Sequence, residues 1–343
     1  MKLTQHPSHF LAYEQDRRGP LTMVRLKFHP RQDMLLAQVV DRRLLVFDPA
    51  AEPEEVPKKK EKSVLGRFLV GHREGWIRGL DLSPDGASLA TVGSDRRLCL
   101  WPFQPDTYTE EPQRETAAHE AWAEAVAYAP HGRTIATLGS DRTVKLWNAS
   151  DLRLLATQPA HENNGRDLAW TADGSRIYTC SEDGRVLGFH GESLALEQTI
   201  EFGFANDQQG QNPAISGAHR LALSHDSRWL AVAGHERVTV FDTSSGEAVA
   251  VEKLRLQAVW HPTAPVLAAG NGEMKVWECE PGKFAPAEPD KNGRPRDPAA
   301  IPGQSLGSYK LDEYALGLAF SRDGRLLAAG RGDGSISMCQ VET

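Results

Sequence analysis

The sequence predicts an all-β fold, a seven-bladed β-propeller of four-stranded antiparallel blades, closed by an N-terminal strand that completes the last blade. Three observations carry that prediction. The text Leu89 to Trp101 returns almost letter for letter as Ile135 to Trp147, 46 residues later, a period that marks a repeat architecture. A turn with Pro or Asp-Gly chemistry recurs along the chain, and such turns suit tight connections because Pro fixes one φ and Gly accepts a positive one. Between the turns, apolar and polar residues alternate with the period of two that strands require.

Taken in order, the clearest turn is Ser83-Pro84-Asp85-Gly86, followed by Ala129-Pro130-His131-Gly132, Thr171-Ala172-Asp173-Gly174 and Ser321-Arg322-Asp323-Gly324. Worn forms are His29-Pro30-Arg31-Gln32, Ser224-His225-Asp226-Ser227 and His261-Pro262-Thr263-Ala264. Each turn follows one alternating run, such as Leu80-Asp81-Leu82, and precedes two more joined by a short connection. A weaker fourth run follows, at Phe68–Val70, Leu152–Thr157, Leu196–Glu201, Ala248–Lys253 and Ser308–Leu311. Seven turns and four strands per unit give blades at about 20–70, 71–117, 118–159, 160–201, 218–256, 257–312 and 313–341, in one domain spanning 1–343. Three inserts, 49–63, 202–217 and 281–303, interrupt the period. The first and last are charged or Pro-rich, read as solvated loops without a core, and fall between a third and a fourth strand. The sequence leaves no outer strand for the seventh blade after Ser335–Val341. An open blade would expose an unpaired edge, so residues 8–13 are expected to supply that strand.

Composition narrows the function. The 343 residues are 40% hydrophobic and 25% charged, with a net charge of -7, which argues against a nucleic-acid partner. No apolar run is long enough for a transmembrane helix, and Met1 to Tyr13 has no signal-like apolar core, so a cytoplasmic chain without membrane insertion is expected. Cys99, Cys180, Cys279 and Cys339 lie far apart in or beside strand runs and read as small buried hydrophobes of a reducing compartment. Neither metal-site, phosphate-loop nor haem-attachment spacings occur, so no metal and no cofactor are expected. The run Lys58 to Lys62 is short and broken by Glu61, and reads as a solvated loop or a docking segment.

Gly71-His72, Ser83-Pro84-Asp85-Gly86 and Ser94-Asp95 through Trp101 resemble the WD40-repeat family, and the resemblance spans most of the chain. It is strong in repeats two and three, fair in four and seven, and worn in one, five and six. An Ala-, Arg-, Gly- and Pro-rich composition is similar to that of WD40 proteins from high-GC bacteria. The resemblance implies that His72, Thr91, Asp95 and Trp101, and again His119, Thr137, Asp141 and Trp147, form buried hydrogen-bond lines inside blades, in a structural and not a catalytic role. Blade four keeps His161, Thr179 and Asp183 with Phe189 in place of Trp. Blade one keeps Asp41, blade seven Asp333, and blade six has Asn271 at the Asp position.

The resemblance also defines a top face, where the loops before strand one and between strands two and three meet. Ten residues before the turn Gly stand Trp76, Trp122 and Tyr314, and the residue after the structural Asp is Arg42, Arg96 or Arg142. Aromatics and arginines are the residues enriched at interface hot spots, and arginines clamp carboxylates or phosphates in pairs of hydrogen bonds. The other reading is that the aromatics pack on a neighbouring blade and the arginines are merely solvated. The leading expectation is a monomeric, non-enzymatic scaffold that binds a protein or peptide, acidic segments being suited to the arginines. The alternatives are a structural subunit docking through loops 49–63 and 281–303, and an enzyme with a central-funnel site. An enzyme would need inward carboxylates or histidines from several blades, and no such set is visible in register.

Overall fold

The structure, a computed structural model, describes residues 2–11, 23–39, 43–50, 54–55, 62–65, 67–72, 74–103, 111–202, 217–291, 296–311 and 314–342. They form seven antiparallel sheets arranged as the blades of a propeller. Blade one joins Met23–Phe28, Leu35–Val39, Arg43–Phe47 and Arg67–Gly71; blade two joins Ile77–Leu82, Ser88–Gly93, Arg97–Pro102 and Arg114–Ala117. Blades three to six repeat that order, and the innermost strand of blade seven, Ala315–Phe320, packs against that of blade one.

The strand sequences explain the radial order. Second strands such as Leu35–Val39 and Trp229–Gly234 are buried along their whole length, because neighbouring blades cover both of their faces. Outer strands such as Leu154–Pro159 run through exposed and half-buried positions only, and there even Leu154 and Leu155 are exposed. One apolar cluster fills each of the seven seams between blades. The seam between blades one and two packs Leu36, Leu44 and Val46 against Ile77, Leu82 and Trp101. The first connection of a blade is shown by Ser83–Gly86. The Asp85 carboxylate accepts from Ser83 Oγ at 2.5 Å and from the Ala87 amide at 3.0 Å, and Gly86 takes a φ of 74° that a side chain would resist.

Three features differ from the sequence expectations or extend them. Lys2–Leu11 runs antiparallel to Ser335–Glu342, with Leu3 opposite Val341 and Phe10 opposite Ile336. This strand starts earlier than residues 8–13, and Ala12 and Tyr13 lie outside the described residues. Part of insert 49–63 is not loop: Glu54–Glu55 pairs with Lys62–Leu65, which runs parallel to Phe10 and Leu11 and widens the last sheet to six strands. Insert 281–303 is docked rather than wholly solvated. Phe284 packs on Trp229 with ring centroids 4.7 Å apart, Ile301 is buried in the seam of blades five and six, and the Val251 amide donates to the Ala299 carbonyl at 3.0 Å. Two apolar side chains and a few hydrogen bonds anchor a segment whose composition is otherwise charged and Pro-rich. Of insert 202–217, residues 203–216 fall outside the described residues.

Candidate functional site

The repeated polar residues meet inside the blades. In blade two, His72 Nδ1 donates to Asp95 at 2.7 Å, the Thr91 hydroxyl donates to His72 Nε2 at 2.8 Å, and Trp101 Nε1 donates to that hydroxyl at 2.8 Å. The carboxylate can only accept, which fixes the proton on Nδ1 and leaves Nε2 to accept. Blade three repeats the line, with His119 at 2.9 Å from Asp141 and 2.8 Å from Thr137, and Trp147 at 2.9 Å from Thr137. Blade four joins His161 to Asp183 at 3.0 Å and to Thr179 at 2.9 Å; Phe189 adds no donor. The close fit explains a repeated glycine: a Cβ on Gly139 would lie 2.5 Å from His119 Nδ1 and 2.7 Å from Asp141 Oδ1.

In blades six and seven the residues at the Asp position serve other partners. Asn271 instead donates to the Ala315 carbonyl at 3.1 Å, and Asp333 accepts from the Ser335 amide at 2.9 Å. Asp41 and Arg42 lie outside the described residues. Burial would raise the Asp183 carboxyl, but the hydrogen bond and charge of His161 and the amides of Glu162 and Arg185 outweigh it and hold the group down at about 2. Asp141 is held lower still by the corresponding contacts with His119, Glu120 and Thr143. These hydroxyls and imidazoles are consumed in holding the blades together; the blade-two line also borders a small cavity of about 210 Å³, shared with Glu74, Arg97, Cys99 and Glu115.

The top face presents the predicted aromatics. Trp76, Trp122 and Tyr314 are 55%, 52% and 67% exposed, although each is large and apolar. Trp76 lies at the mouth of a central cavity of about 450 Å³, and Tyr314 lines a second of about 650 Å³ over blades five to seven. His235, Leu256 and Leu316 line both cavities, which therefore adjoin. Trp122 stands apart: the Arg78 guanidinium covers its ring at 4.7 Å. Arg96 and Arg142 are exposed, at φ of 68° and 67°, in the turns after their Asp residues. Their carbonyls accept from the Ala118 and Ala160 amides, and neither residue lines the central cavity. The structure thus brings Trp76 and Tyr314 to one surface and leaves the two arginines outside it.

The sequence reading missed the channel lining. Eight residues before the turn position of each blade stand Val24, Arg78, Glu124, Arg166, His219, Leu256 and Leu316, and all seven line the upper cavity. In six blades the register between the first two strands skips at this residue, a bulge that turns its side chain out of the ladder. An inward set in register therefore exists. Arg78 donates to Glu124 at 2.5 Å, Arg166 pairs with Glu182, and Arg25 of blade one reaches across the channel to Asp167 of blade four at 2.9 Å. One step below, Lys27 pairs with Asp81 at 2.5 Å. Burial, with the charges of His235, Arg166 and Arg220, pushes the His219 imidazole down to about 4. Among the described residues no cluster of histidine, cysteine and carboxylate groups is arranged to hold a metal ion.

This titration has a sign. Below about pH 6.5 the unfolded chain takes up a proton that folded His219 refuses until about pH 4, so stability contributed above pH 6.5 is lost as pH falls across that window. The expected loss is about 1–3 kcal/mol, reduced by partial solvation of the ring. Urea unfolding from pH 7 to 4 should show it, and His219→Phe should flatten most of the slope. His261, also held low by burial, adds to the slope, and the carboxyls held low, such as Asp183, add to its acid end.

The architecture and the buried lines define a repeat propeller. The family model described as WD domain, G-beta repeat, matches residues 63–102, 110–148, 152–187 and 305–339. The four matched segments end near the third strands of blades two, three, four and seven. No curated protein matches the chain. No helix among the described residues is long and apolar enough to cross a membrane.

Proposed function

We propose that this protein is a non-enzymatic interaction scaffold that binds a protein or peptide on the top face of its propeller. WD40 propellers commonly mediate protein–protein interaction, which is a family-level argument. The observation that carries the reading here is local: Trp76 and Tyr314 stand exposed beside two adjoining cavities. Large exposed aromatics at a concave surface are the usual anchors of a partner. Arg96 and Arg142 flank this surface as solvated cations and favour an acidic partner through rate more than affinity. The scaffold works as a monomer, in a cytoplasm where the four buried cysteines stay thiols, and the composition suits a bacterial source.

The test is affinity capture from the source organism with two variants. Replacing Trp76, Trp122 and Tyr314 together by Ala is expected to remove the captured partner while moving stability by no more than about 0.5 kcal/mol per site. Replacing Arg96 and Arg142 by Ala is expected to weaken capture most at low salt. Full capture by the aromatic variant would refute the top-face reading.

A further inference from the structure

The neck of the central channel holds one cation more than its carboxylates serve. Arg25, Arg78 and Arg166 each have an acidic partner, in Asp167, Glu124 and Glu182. Arg220, which lines both the upper cavity and a further one of about 430 Å³ bordered by Lys27, Asp81 and Asp167, has none among the described residues; its Nη1 donates to the His219 carbonyl, at 3.1 Å. Asp167 is already engaged, by Arg25 at 2.9 Å and by the Leu221 amide at 3.1 Å. Around Arg220, the Nε atoms of Arg25 and Arg166 and Nε2 of His219 are buried without a partner. Burial and the facing charge of Arg25 bring the Arg220 guanidinium down to about 10, the sign of a cation short of anions. The unpaired charge of half-buried Arg220, set among the orphaned donors of Arg25 and Arg166, is costly unless an anion completes the group. The cavity above it is open at the top and large enough for a small organic molecule.

The geometry points to an anion-binding site in the upper channel, in which Arg220, supported by Arg25 and Arg166, takes a small oxyanion, carboxylate or phosphate. The planar fork of a guanidinium matches both groups with paired hydrogen bonds. The anion comes either as a free small molecule or as an acidic side chain of a bound segment. The site lies inside the cavity that Trp76 borders, but it uses neither Trp76, Trp122 nor Tyr314 as a ligand.

Thermal unfolding of the full chain is measured with inorganic phosphate, succinate or a hexaglutamate peptide, against chloride at equal ionic strength. At ten times its dissociation constant, a bound anion is expected to raise the melting temperature by about 2–4 °C. Arg220→Gln should abolish the shift, and Arg322→Gln, at an exposed turn, should keep it. Without anion, Arg220→Gln should melt no lower than the parent, because it removes an uncompensated charge. Tighter binding of hexaglutamate than of succinate assigns the site to an acidic segment, and the reverse to a free molecule. If Arg220→Gln fails to fold, crystals of the parent soaked in selenate serve instead, with an anomalous peak expected within hydrogen-bond reach of Arg220. No shift with any of the three anions, an equal shift in Arg220→Gln, or a selenate peak elsewhere would overturn the proposal. The rim aromatic variant should keep the anion response, so failure of partner capture and failure of anion binding are read separately.

Discussion

Deletion of residues 1–18 is expected to lower the melting temperature by on the order of 10 °C. Lys2–Leu11 covers Ser335–Glu342 along most of its length. That third strand carries Ile336, Met338, Cys339 and Val341, all buried, into the seams with blades six and one. Each backbone hydrogen bond lost is worth about 0.5–1.5 kcal/mol, and several go together. In a chain of this size each kcal/mol moves the midpoint by about 2–4 °C or less. The deletion also strips the partner from Lys62–Leu65 and exposes an edge that invites pairing with a second chain. Calorimetry with light scattering reads both effects. An unchanged melt would show that the ring is held shut by its seams alone.

Asp141→Ala should cost about 1–3 kcal/mol or more in urea unfolding. The carboxylate accepts from His119 Nδ1 at 2.9 Å, the Glu120 amide at 2.9 Å, the Thr143 amide at 3.1 Å and Thr143 Oγ1 at 2.8 Å. Its removal orphans the imidazole of His119, whose side chain is wholly buried, and orphaned donors cost more than the bond was worth. Asp95→Ala should behave alike in blade two. Asp333→Ala is the contrast: its carboxylate serves its own turn and Arg331, so the loss should stay well under 1 kcal/mol. A double-mutant cycle of Asp141 with His119 isolates the coupling. Near-zero losses for both Asp95 and Asp141 would refute the structural role of these lines. The same variant should remove part of the acid unfolding, since a carboxyl held low stabilises above its ordinary value and loses that contribution as it protonates.

Repetition made the scaffold readable, and the same method hid the channel. Thr91 and Thr137, or Asp95 and Asp141, stand out because the fold demands one letter at one place in each blade. The lining position has no such demand. It reads Val24, Arg78, Glu124, Arg166, His219, Leu256 and Leu316, two residues beyond the column that holds Trp76, Trp122 and Tyr314. Counting from the turns would have aligned these residues, but a search for shared letters passes over a column in which most letters differ. The charge pairing was also beyond the sequence, because Arg25 and Asp167 are 142 positions apart and meet only across a closed ring. Insert 281–303 was misread for a different reason. Its average composition is that of a solvated loop, and Phe284 and Ile301 anchor it individually, which an average conceals.

The bulges in the innermost strands have a consequence for how such a protein changes. A bulged residue stands outside the hydrogen-bond ladder, so replacing it leaves strand register and seam packing alone. The channel is therefore a seven-letter word written on a page that does not depend on it. A Glu, an Arg, a His or a Leu fits the same slot. Ligand preference can be rewritten one blade at a time, while the buried imidazole lines keep the binding of the book intact.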